Sequence, residues 1–309
     1  MKYDYLIKPI YENYIPDFSL LEIELKNGLD INYLEGELGD VYSDGETMLS
    51  EILFYYNENF LPKDETSYLY SFENPNIIVV VNWFIEHGYD VNRYDGYNGY
   101  YALASLANSL LCDKYSVEAF KILLDHYEKT DHIYLKWELN DFYMEHTIGS
   151  CDRIATNYYS TLISIIEYYD VGKDFKSIMH PDFAVGKKIS KIFVEESEDA
   201  SLNGENKTFE RLIFDMEDSF LVVSRDMHLN MNCKDDYDKE RIIECSKLEN
   251  SIGSRIKNIR YYYPENEEKP EISLNIDLDS GKRVTLKGRF NGQIVQNPNY
   301  YNEIWGVIL

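Results

Sequence analysis

The sequence predicts α and β structure in separate domains, a helical repeat stack over residues 1–185 followed by a mainly antiparallel β domain over 186–309. Three observations lead there. Apolar residues keep a helical period up to about Gly186 and a two-residue period beyond it. An eight-residue element recurs within the first part. Charge and tyrosine both divide near the same place: up to His180 there are 31 acidic and 12 basic residues, net −19, against 24 and 18, net −6, in the remainder. Of the 29 tyrosines, 23 precede residue 181.

The recurring element is Leu25-Lys26-Asn27-Gly28-Leu29-Asp30-Ile31-Asn32, echoed 60 positions later by Ile85-Glu86-His87-Gly88-Tyr89-Asp90-Val91-Asn92. Each copy follows an apolar stripe of helical spacing, LLEIEL or VVNWFI, and each places Gly where a helix end enters the left-handed region. Short polar side chains at fixed offsets after that glycine predict two equivalent turns holding Asp30 and Asp90, with Asn32 and Asn92 binding local backbone. Two further stripes, Ala119–Tyr127 and Leu162–Tyr169, continue the series at spacings of 39 and 42, measured from Glu86 to Asp125 to Glu167. These two are read as lacking the glycine and the Asn. The first interval of 60 predicts a long loop or an extra helix around Phe60 to Pro75.

The segments that would open the following helices are Asp44-Gly45-Glu46-Thr47-Met48-Leu49 and Gly99-Tyr100-Tyr101-Ala102-Leu103. Gly45, Thr47 and Leu49 in the first, and Gly99 and Leu103 in the second, keep part of the ankyrin G-x-T-P-L-H pattern. Residues 20–180 thus resemble a degenerate array of ankyrin repeats with insertions. The resemblance implies stacked helix pairs that present an elongated concave surface to a protein partner. It places the contacts on the protruding turns, with Tyr33 on the first finger and Tyr94, Asp95, Tyr97 and Asn98 on the next.

From Gly186 onward the alternating segments Lys191–Glu195, Phe209–Asp215, Phe220–Ser224, Arg255–Tyr263, Ile272–Leu278 and Arg283–Phe290 predict strands. Asp279-Ser280-Gly281 and Glu217-Asp218-Ser219 read as hairpin turns, and their spacing of 61 suggests two related hairpins building one sheet or small sandwich. The charged stretch Asp235–Leu248 reads as a helix over one face.

A net charge of −25 excludes the clustered Lys and Arg that a polyanion requires, so nucleic acid is not expected as a partner. Asp4 and Pro9 interrupt the apolar N-terminus, no apolar run approaches the roughly 20 residues of a membrane span, and Cys112, Cys151, Cys233 and Cys245 are too dispersed for a disulfide scaffold or a zinc site. A cytoplasmic protein without cofactor or metal is therefore expected. Neither phosphate-binding glycine motif nor a G-x-S-x-G elbow occurs. The six histidines form no H-E-x-x-H pair; His87 and His126 fall at predicted helix ends, where a cation complements the dipole. His126, His132, His146 and Cys151 could meet only through tertiary folding. The acidic run after Cys233 lacks the glycine and terminal Glu of a calcium loop and reads as a solvated connection. The expectation is a non-enzymatic protein-binding module with a basic partner, similar in charge and repeat type to bacterial immunity proteins. The alternative is a hydrolase with a carboxylate or histidine site between the domains.

Overall fold

The computed structural model describes residues 3–13, 15–33, 47–58, 75–92, 101–107, 112–128, 132–144, 153–196, 209–224, 227–234, 242–262, 271–289 and 306–308. The chain divides into two compact units: Met1–Tyr143 with Tyr158–Lys176, and Met144–Asn157 with Ser177–Leu309.

The first unit is helical: α1 (Asp4–Tyr11), α2 (Ser19–Lys26), α3 (Met48–Glu58), α4 (Asn76–Glu86), α5 (Tyr101–Ala107), α6 (Lys114–Asp125), α7 (Ile133–Met144) and most of α8 (Arg153–Asp170). No strand occurs among the described residues before β1. Leu6, Ile7 and Ile10 of α1, and Leu49, Ile52 and Leu53 of α3, are buried at helical spacing. The helices pack in pairs, α1 with α2, α3 with α4 and α5 with α6, while α1 rests on α3, α3 on α5, and α4 on α6. First helices therefore stack on first helices, and α4 and α6 stack as second helices. The starts of α3 and α6 are capped by side chains, Thr47 Oγ1 accepting from the Ser50 N–H at 3.1 Å and Asp113 from the Ser116 N–H at 2.7 Å, while ahead of α2 Asp17 accepts from the Ser19 N–H at 3.0 Å.

The second unit holds two antiparallel sheets. One has the order β4-β3-β2-β1-β5, built from β1 (Ile189–Glu196), β2 (Phe209–Met216), β3 (Ser219–Ser224), β4 (Leu229–Cys233) and β5 (Ile242–Glu244). The other has the order β6-β7-β8-β9, built from β6 (Ile256–Tyr262), β7 (Glu271–Leu278), β8 (Arg283–Arg289) and β9 (Gly306–Ile308). Residues from both sheets, among them Ile192, Phe214, Leu221, Leu274, Ile276 and Leu286, bury together as one core. Asn157, at the start of α8, accepts from the Leu229 N–H at 2.9 Å and donates to Tyr261 Oη at 2.6 Å; Tyr261 in turn donates to the Met227 carbonyl at 2.7 Å. This buried chain fastens β6, β4 and the helix start.

Two expectations are corrected here. The β2–β3 and β7–β8 hairpins belong to different sheets, so they do not build one sheet together. The stretch expected as a helix contains β5 and a 3-10 turn at Ser246–Ser251; residues 235–241 lie outside the described residues.

Candidate functional site

The turns after the second helices form the framework. Gly28, Gly88 and Gly172 take φ of +97°, +86° and +71°, a region open to glycine at no steric cost. Each ends its helix with the same two bonds, for example Gly88 N–H to the Ile85 carbonyl at 3.0 Å and Tyr89 N–H to the Phe84 carbonyl at 2.9 Å. Two residues on, Asp30, Asp90 and Asp174 accept from the N–H of Asn32, Asn92 and Lys176 at 2.9, 2.9 and 3.0 Å. The last unit thus does carry the glycine and aspartate, at Gly172 and Asp174. Sequence reading missed it because the apolar stripe was ended at Tyr169, three residues too early, although Gly172-Lys173-Asp174-Phe175 repeats the pattern and Phe175 is buried like Ile31 and Val91.

The aspartates, not the asparagines, bind the local backbone. Asn32 reaches the next turn instead: its amide donates to the Gly88 carbonyl at 3.0 Å and accepts from the Asp90 N–H at 2.7 Å. Asn92 repeats this one unit later, donating to the His126 carbonyl at 3.1 Å and accepting from the Glu128 N–H at 2.6 Å. The Tyr169 hydroxyl then donates to the Tyr127 carbonyl at 2.9 Å. A ladder of side-chain bridges therefore joins successive turns. His87 and His126 each place Nδ1 on the carbonyl four residues back, at 2.7 and 2.9 Å, which fixes that nitrogen as the protonated donor at the helix end.

Of the residues expected to bind a partner, Tyr33 lies beside this ladder, with its ring edge-on to Tyr3 at 5.0 Å. Tyr94, Asp95, Tyr97 and Asn98 lie outside the described residues, as do His146 and Cys151.

Surface character differs between the helix rows. On the first helices the exposed apolar groups are aromatic: Tyr5 of α1 is 55% exposed and Phe54 of α3 45%, with Tyr55 beside them, stacked on Tyr11 at 5.6 Å. On α2 and α4 they are aliphatic, namely Leu20, Ile23 and Val79. Carboxylates do not make this distinction, since Glu22, Glu24 and Glu86 stand on second helices as Asp4, Glu12 and Glu51 stand on or next to first ones. Burial first, and then the nearby carboxylates of Glu12, Glu51 and Asp4, push the Tyr11 hydroxyl up to about 12.

No protein-family model matches the chain, and neither does any curated protein or solved structure.

Among the described residues two histidines meet a carboxylate, His180 with Nδ1 3.5 Å from Asp182 Oδ2 and His132 more closely. His132 Nδ1 lies 2.6 Å from Asp170 Oδ1, and Lys136 Nζ lies 2.6 Å from the other oxygen. The pair has the base-and-orienter geometry of acyl-transfer sites, but His132 is buried between Tyr127 and Tyr169, and its Nε2 meets no hydrogen-bonding group among the described residues. As described, it ties the start of α7 to the end of α8. In the second unit Cys233 donates to the Ser177 carbonyl at 3.1 Å and Lys234 pairs with Asp215 at 2.7 Å. No cluster of three or more potential metal ligands occurs among the described residues.

Proposed function

We propose that this chain is a non-enzymatic protein-binding module whose first-helix face, with Tyr5, Phe54 and Tyr55 on the same helices as Asp4 and next to Glu12, engages a basic protein. The observation that carries the reading is the exposure of aromatic rings on α1 and α3, helices that carry Asp4 and are followed by Glu12. Rings of this kind bury large area at low entropic cost, and the surrounding carboxylates steer and select a cationic partner. The stacked helix pairs and laddered turns support the ankyrin-like reading, in which successive pairs present one continuous binding surface. The narrower form is an immunity-type protein that neutralises a basic toxin domain, supported by the net charge of −25. Residence in a reducing cytoplasm accords with Cys112, Cys233 and Cys245 standing outside any disulfide among the described residues. No helix among the described residues is long and apolar enough to cross a membrane.

The test is affinity capture with the intact chain from the cells that make it, followed by mass spectrometry. A basic protein that is captured by the parent and lost with a Tyr5→Ala, Phe54→Ala double variant supports the reading. Capture of acidic or neutral proteins alone overturns it, and capture indifferent to the two substitutions moves the binding face away from α1 and α3.

A further inference from the structure

We propose that the outward row of α2 is a further docking site of the interface, one that receives a basic amphipathic helix of the partner laid against Leu20 and Ile23. The proposal rests on the reading that the chain binds a basic protein, and adds the form of segment that is taken and where.

Gly28 and Gly88 end α2 and α4 in the same left-handed conformation, and the turns that follow bind their backbones alike. Aligning the two units on these glycines, at the interval of 60, sets Leu20 against Val80, Ile23 against Trp83 and Asn27 against His87. In α4 this row is covered from the preceding unit. The Phe18 ring lies on the Trp83 indole with centroids 4.5 Å apart and planes 10° apart, and the indole lies in turn on His87 at 3.8 Å. Val80 is fully buried. In α2 the equivalent row lies open: Leu20 is 44% exposed, Ile23 52%, and Asn27 is exposed as well. Leu20 and Ile23 are three residues apart and Asn27 follows four later, so the three share one side of the helix. The other side is fixed inward by Leu21, which is fully buried.

What covers the row in α4 is a helix start, Phe18 being the N-cap residue of α2. The occupant of matching shape is therefore a helix lying beside α2 that offers a large apolar side chain to Ile23. Charge decides its sign. From Asp17 to Tyr33 the chain has Asp17, Glu22, Glu24 and Asp30 against Lys26 alone. A segment with Lys or Arg flanking its apolar row meets these carboxylates with opposite charge, whereas an acidic one is repelled. A second copy of this chain is disfavoured in the same way, since each copy brings a net charge of −25.

The experiment uses the intact protein, isotope-labelled at its Leu and Ile methyl groups, and an acetylated, amidated peptide of about 18 residues, five helical turns. The peptide carries leucine at helical spacing on one face and lysine on the other. One comparison peptide replaces every lysine with glutamate; a second keeps the composition but alternates leucine with lysine, so that no apolar helical face can form. Nuclear magnetic resonance follows the Leu20 and Ile23 methyl signals. The expected result is that the helical lysine peptide shifts both and neither comparison peptide does. The Leu20→Ala, Ile23→Ala double variant is expected to weaken binding about tenfold, the size of the apolar area the two side chains would bury. Both side chains are exposed and Ala favours helix, so the variant keeps its fold, which circular dichroism checks. Val79→Ala, which removes a 50% exposed aliphatic group from α4, is expected to leave binding unchanged. Absence of binding by the helical lysine peptide overturns the site, as does binding that leaves the two methyl signals unmoved, survives the double variant or is equalled by the glutamate peptide. A concentration-dependent dimer in analytical ultracentrifugation that the double variant abolishes also overturns it, because a second copy would then cover the row. In the capture experiment, a basic protein kept by Leu20→Ala, Ile23→Ala but lost with Tyr5→Ala, Phe54→Ala overturns the α2 site and leaves the broader reading standing. Failure to capture a basic protein from cells would count against the broader reading alone.

Discussion

Asn92 satisfies its side-chain amide on both sides with backbone of a turn 34 to 36 residues further along the chain. Replacing it with Ala removes two hydrogen bonds, at about 1 kcal/mol each, so Asn92→Ala is expected to lower urea stability by about 2 kcal/mol, and Asn32→Ala by a similar amount. Asn92→Asp should fall between, since a carboxylate keeps the bond from the Glu128 N–H but cannot donate to the His126 carbonyl. The glycines isolate a different cost. A Cβ at Gly88 or Gly172 would meet nothing within 4 Å, so Gly→Ala at either site is expected to cost only the left-handed backbone penalty of about 1–2 kcal/mol, read from the same urea curves. Tyr11 gives a pH signature. Its folded value of about 12 lies above the ordinary 10.0, so its contribution is fully present below pH 10 and is lost as pH rises toward 12. Tyr11→Phe should reduce the fall of the thermal midpoint over that window; an unchanged slope would place the alkaline loss in other tyrosines.

Among the elements, α7 is the one whose stability should respond to acid in the unusual sense. Burial, and then the charge of Asp141, hold Glu138 above its ordinary 4.5, so its favourable contribution is complete below that value and is lost as pH rises through the folded one. Glu138→Gln is therefore expected to raise the melting midpoint at neutral pH, with the gain shrinking near pH 4 in calorimetric scans. Elements with a strong period were readable in advance: α2 and α4 through their stripes and following glycines, β2, β3, β7 and β8 through alternation bounded by turns. The short strands β4, β5 and β9, of 5, 3 and 3 residues, are too brief for alternation to show, and pairing with a neighbouring strand decides them. The proposed binding face was only partly readable. The asparagines announced themselves by position, yet one sequence cannot tell a bond to its own turn from a bond to the next. Leu20 and Ile23 belong to the apolar stripe of α2, and nothing in the sequence marked that these two would face water.

At the scale of the whole molecule, a net charge of −25 means that the fold works against its own repulsion. Raising NaCl from about 20 mM to about 0.5 M should raise the melting midpoint and slow association with a basic partner, because the Debye length contracts from roughly 20 Å to a few Å. A midpoint that falls with salt would show that attractive pairs such as Lys136–Asp170 and Lys187–Asp218 outweigh the repulsion. The ladder between turns bears on a different question, how much of this sequence is free to vary. Asn32 reads the main chain at Gly88 and Asp90, and Asn92 reads it at His126 and Glu128. A main-chain group is supplied by almost any amino acid, and glycine in one rung and histidine in the next already serve alike. The rungs themselves therefore depend on where the receiving main chain lies and not on which side chains it carries, so a change of side chain at His126 or Glu128, or a longer interval between turns, leaves the Asn92 rung its partners.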